Sequence, residues 1–148
     1  MTDVDHRRLA ADLFNHTWTL IEREQRTPDE DDEMLYATFA SAYHWMRVDG
    51  AGPEHRARSE WQISRVYAEL GRGEEALVHA RRCLDHCREH GIGDWDLAFA
   101  WEALARAARV TGDAVLFHES LARAREAGRE IADADDREHF ERALAALS

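Results

Sequence analysis

The chain has 148 residues, enough for one domain around a single core. Lys and Arg number 19 against 30 Asp and Glu, and this net charge of −11 argues against a nonspecific grip on nucleic acid or an anionic bilayer, both of which need clustered positive charge. A hydrophobic fraction of 45% is too high for intrinsic disorder, and only two prolines among abundant Ala, Leu, Glu and Arg point to long helices.

A first helix is expected over about residues 3–25, where Leu9, Ala10, Leu13, Phe14, Thr17, Leu20 and Ile21 recur at helical spacing and make one apolar stripe. Thr27-Pro28-Asp29-Glu30 starts the second helix: Thr27 caps, Pro28 fits the first turn and Glu30 completes a capping box. The acidic run Asp29 to Glu33 then faces the positive end of the helix dipole. Helix two, about 29–48, carries Phe39, Tyr43 and Met46 on one side and Met34, Ala37 and Trp45 on the other, so burial on two faces is expected. Gly50-Ala51-Gly52-Pro53 ends it, and a third helix follows to about Leu70 with Ile63, Val66 and Tyr67 inward. Gly71-Arg72-Gly73 turns the chain into a fourth helix, about 74–90, closed by Gly91. Asp94 is read as the cap of a fifth, and Gly112-Asp113 leads into a sixth, about 113–128. Asp133, Asp135 and Asp136 open a last helix that carries Phe140, Leu144 and Leu147 and caps the open end. Strand-like alternation does not occur, so the class is all-α with about seven helices.

Cys83 and Cys87 stand four apart in one helix, where bridging is geometrically awkward, and free thiols fit a reducing cytosol. The first residues hold aspartates rather than a signal-peptide core, and no window approaches a membrane span, so a cytoplasmic protein is expected.

The segments around Trp61 and Trp101 both read as helix, short glycine turn, helix. Gly71 and Gly112 lie 41 residues apart and the two tryptophans 40 apart, which is the fixed period of a helical solenoid. Ile63, Ser64 and Tyr67 in one copy, and Trp101, Leu104 and Ala105 in the other, stand at places of the W-x2-L-G-x2-Y pattern; Ala76 and Ala80, then Phe117 and Leu121, stand at those of A-x3-F. On these residues the chain resembles the tetratricopeptide-repeat (TPR) family over about residues 58–128, with longer helices accounting for the longer period. The resemblance implies one domain, 1–148, built as a TPR-like α-solenoid of stacked helical hairpins: a divergent N-terminal pair over 1–50, repeats over 54–91 and 94–128, and a capping helix over 133–148.

Members of that family bind peptides or helices along the concave surface of their first helices. Here the implied partner-binding residues are Trp18 on helix one, Arg58, Trp61 and Arg65 on helix three, and Glu102, Arg106 and Arg109 on helix five. Arginine beside an aromatic suits recognition, because the planar guanidinium takes a carboxylate through two bonds and the ring supplies rigid apolar area. A non-catalytic module for a protein or peptide partner, with an acidic one suited to the arginines, is therefore expected, with no cofactor and with a homodimer as a further option.

A rival reading is a small metal- or ligand-binding protein or enzyme that uses His16, His44, Glu60 and His79 to hold Zn, Cu or Fe. Helix four also places His79, Cys83, His86, Cys87 and His90 within about 100° of arc, residue types that ligate Zn²⁺ or Cu⁺, although the cysteines share the packing stripe of Ala76, Ala80 and Leu84. Phosphate-cradling glycine loops, a G-x-S-x-G elbow and H-E-x-x-H are absent from the sequence.

Overall fold

The computed structural model describes residues 3–147; residues 1, 2 and 148, the ends of the expected 1–148 domain, lie outside the described residues. The described residues form seven α-helices and no strand: α1 His6–Ile21, α2 Pro28–Met46, α3 Pro53–Glu69, α4 Gly73–Glu89, α5 Asp94–Thr111, α6 Ala114–Arg129 and α7 Ala134–Ala145. The class is all-α. None of these helices is long and apolar enough to cross a membrane.

The turns work as the residues dictate. Thr27 and Glu30 form the full capping box, and Asp113 and Asp133 accept from the backbone N–H groups of Leu116 and Asp136. Gly71 and Gly112 take φ of 73° and 80°, the left-handed conformation that ends a helix at low cost only for glycine. Asp94 differs from expectation. Gly93 occupies the cap position, while Asp94 is the first helical residue at φ 52°. Its carboxylate accepts from the backbone N–H of Trp95 and of Ala132, tying the start of α5 to the loop before α7. An aspartate tolerates this region because its short side chain bonds locally.

Helices α1 and α2, α3 and α4, and α5 and α6 pack as pairs; α2 also packs on α3, α4 on α5, α3 on α5, and α7 on α5 and α6. The core between α3, α4 and α5 is built from small residues, among them the fully buried Ala76, Ala80, Ala100 and Ala107, which let the helices approach closely. A Cβ on the buried Gly73 would fall 2.6 Å from Thr111 Cγ2, so glycine is required where α4 starts against the end of α5.

Two expectations are corrected. Helix one is shorter than 3–25, because Arg26 folds back and donates to the carbonyls of Leu20, Ile21 and Arg23. Helix two is not buried on two faces: Phe39, Tyr43 and Met46 are 40%, 58% and 62% exposed, since α2 packs mainly on α1 and α3 and meets α4 through the edge of Phe39 against His79.

Candidate functional site

The odd-numbered helices share one face, and along it runs an open groove of about 720 Å³. Phe14, Asn15 and Trp18 line it from α1, Arg58, Trp61 and Arg65 from α3, Trp95, Asp96, Phe99 and Arg106 from α5, and His139, Arg142, Ala143 and Ala146 from α7 and its C-terminal end. The aromatic floor is continuous. Trp18 and Trp61 have ring centroids 5.6 Å apart, Trp61 meets Phe99 edge-on at 5.6 Å, Trp95 lies 4.6 Å from Phe99, and His139 stacks on Trp95 at 5.6 Å.

A bridge across the helix layers fixes the floor at its α1 end. Gln62, buried beside Trp61, donates to the Phe14 carbonyl at 3.0 Å, while its own side-chain oxygen accepts from the Thr38 hydroxyl at 2.8 Å. One amide thus joins α1, α2 and α3 with both its functions satisfied.

Carboxylates hold the arginines in place. Glu102, only 1% exposed, accepts from Arg106 Nη2 at 2.7 Å through one oxygen and from Trp61 Nε1 at 3.2 Å through the other. It thereby fixes a ring and a guanidinium that both face the groove. Arg65 spans between Glu69, at 2.9 Å, and the Trp18 ring, whose centroid its guanidinium approaches to 5.4 Å. Arg58 grips Asp96 of α5 through two bonds of 2.9 and 3.1 Å, and that pairing raises the guanidinium's already high pKa. The lining itself holds four arginines and one carboxylate, because Glu69, Glu102 and Glu138 stand beneath or beside their arginines. Each of the four arginines is thus paired with a carboxylate, and the groove presents guanidinium edges to its opening while three of the four carboxylates stay out of the lining.

The structure brings together Trp18, Arg58, Trp61, Arg65 and Arg106 along the groove. Glu102 lies beneath that surface. Arg109 lies outside the lining: its guanidinium donates to the Leu147 carbonyl at 2.9 Å and secures the end of α7. Sequence reasoning missed Trp95 and the α7 wall. Trp95 was legible, since positions 95, 99, 102 and 106 form one helical stripe. The role of α7 was not, because a helix assigned to close one end gives no sign that His139 and Arg142 turn into the trough.

The histidine set of the rival reading does not gather at one place. His16 pairs with Glu33 at 2.6 Å on an exposed surface, and His44 meets His6 at 2.9 Å. Glu60 and His79 do meet, at 2.6 Å, with Arg56 and Arg82 on the same carboxylate and Tyr67 stacked on the imidazole. This is a polar cluster around one buried carboxylate, on which an imidazole and two partly exposed guanidinium groups converge. Of the helix-four cluster, Cys83 and Cys87 point into the core as buried free thiols, and the hydrogen bond with Cys87 together with burial pushes the Cys83 thiol up. A neutral thiol of that kind packs rather than ligates.

A second apolar surface lies on the outer side of α2, where Tyr36, Phe39, Tyr43 and Met46 are exposed at spacings of three, four and three. It lacks the fixed polar groups of the groove. No protein-family model matches the chain, and neither the curated proteins nor the solved structures contain a match to it.

Proposed function

We propose that the groove binds a segment of a partner protein that carries carboxylates beside apolar side chains, and that the chain acts as a non-catalytic, TPR-like binding module. One observation carries the reading: four guanidinium groups face a trough floored by three tryptophans in a protein of strongly negative charge. Large rigid rings and arginines are the side chains that dominate binding energy where partners meet. Here they are held in place before binding, by Glu102 and Glu69, so little side-chain entropy is lost on association. A carboxylate entering the trough would find donors already oriented, and its neighbouring apolar side chains would cover the rings. The length of the groove, across four helices, suits an extended or helical segment.

The test is selection from a random peptide library displayed on phage, followed by titration of the enriched peptides against the wild-type chain and the Arg65→Ala/Arg106→Ala double variant. Enriched peptides should pair Asp or Glu with aromatic or aliphatic residues and bind the variant at least about tenfold more weakly, which is about 1.4 kcal/mol. Peptides without acidic enrichment, or equal binding by a folded double variant, would overturn the proposal.

A further inference from the structure

Away from the groove, α4 ends in the sequence His86-Cys87-Arg88-Glu89-His90. Residues three and four apart share a helical face, so Cys87 turns into the core while His86, Glu89 and His90 project together on the other side. One ligand atom from each of these three lies within 4.8 Å of the other two. The two imidazoles are stacked, with centroids 6.0 Å apart and planes 12° from parallel.

Three observations single this cluster out from an ordinary polar helix end. First, His86 Nδ1 is buried and has no hydrogen-bond partner. A buried ring nitrogen left unpaired costs free energy unless something occupies it. Second, His86 and His90 line a pocket of about 450 Å³ together with Trp45, Pro53, His55 and Arg56, so an ion would be partly shielded there. Third, the cluster sits at a helix C-terminus, where the last carbonyls favour a cation.

We propose that His86, Glu89 and His90 form a three-ligand site for a divalent transition metal, with Zn²⁺ as the ion whose ligand preferences it fits. Two imidazole nitrogens and one carboxylate oxygen are a donor set that zinc accepts, and the remaining position of a tetrahedral ion opens to the pocket. Bonds of about 2.0–2.1 Å set ligand atoms about 3.4 Å apart, so the exposed Glu89 and His90 side chains need to close by up to about 1.4 Å on the ion. The site rests on residues outside the groove and stands independently of the function proposed above.

Isothermal titration of the chelator-stripped, full-length chain with Zn²⁺ alone tests it. One equivalent should bind; His90→Ala, an exposed position, and His86→Gln should each weaken binding at least about tenfold, and Glu89→Gln by a smaller factor. His118→Ala, on the exposed side of α6, should bind as the parent does. Circular dichroism in EDTA should show each variant folded. Absence of saturable Zn²⁺ binding to the parent, undiminished binding by folded His90→Ala, or equal loss with His118→Ala would overturn the assignment.

Discussion

The two ends of the stack are held by different forces. Where α5, α6 and α7 meet, the contact is apolar and close: Phe140 is fully buried, stands edge-on to Phe99 at 4.9 Å, and lies where a Cβ on Gly128 would come within 2.6 Å of its ring. Where α1 meets α3, a small apolar cluster of Leu20, Ile21, Met34 and Val66 is supplemented by directional bonds through Gln62 and by the tilted Trp18–Trp61 contact. Close packing resists deformation in every direction, whereas a few hydrogen bonds fix a position and little else. The α7 wall of the groove should therefore be the rigid one, and the α1 wall the one that adjusts.

Breaking the apolar end should have the largest effect. Phe140→Ala removes a fully buried ring and should cost about 3–5 kcal/mol, read as a lower thermal midpoint and loss of amide protection across α5 to α7. Gly128→Ala sets a methyl against the same ring and should cost about 1–3 kcal/mol, with Phe140→Leu in the same chain recovering part of it. At the other end, Gln62→Ala leaves the buried Thr38 hydroxyl without its acceptor and removes the second bond to the Phe14 carbonyl, and should cost about 1–3 kcal/mol. Its signature is spatial: hydrogen exchange should quicken in α1 and stay unchanged in α7. Equal quickening at both ends would remove the contrast. Arg58→Ala opens an ion pair whose arginine side chain is 46% exposed and should cost under about 1 kcal/mol, measured by urea unfolding in low and high salt.

Acidity gives the smallest effect. Burial, and next the Arg58 charge, hold His55 below its ordinary 6.5, so the unfolded chain binds that proton more readily than the folded one. Its contribution is intact above about pH 6.5 and is lost as the pH falls, and His55→Gln should flatten that part of the stability profile.

Much of this was legible in the residues. Thr27-Pro28-Asp29-Glu30, Gly71 and Gly112 carry their local geometry in their chemistry, and the class, the seven helices and the pairing of α3 with α4 and α5 with α6 follow from such signals. Tertiary neighbours were less legible. Phe39, Tyr43 and Met46 look like core residues on any helical wheel, and only the position of α2 at the edge of the stack leaves them exposed. Arg109 shares the basic character of Arg106 but stands nearly one turn nearer the end of α5, where the Leu147 carbonyl after α7 takes its guanidinium. The His86-Glu89-His90 grouping was present as a spacing, but the unpaired Nδ1 that distinguishes it belongs to the packed structure.

The five tryptophans supply a direct test of the binding groove. Trp18, Trp61 and Trp95 line it, while Trp45 belongs to the histidine pocket and Trp101 lies under Arg88 and Arg123. Titrating ¹⁵N-labelled protein with a library-selected acidic peptide should move the indole N–H resonances of Trp18, Trp61 and Trp95 and leave those of Trp45 and Trp101 in place. Saturable binding that shifts Trp45 or Trp101 while the other three stay still would contradict the account.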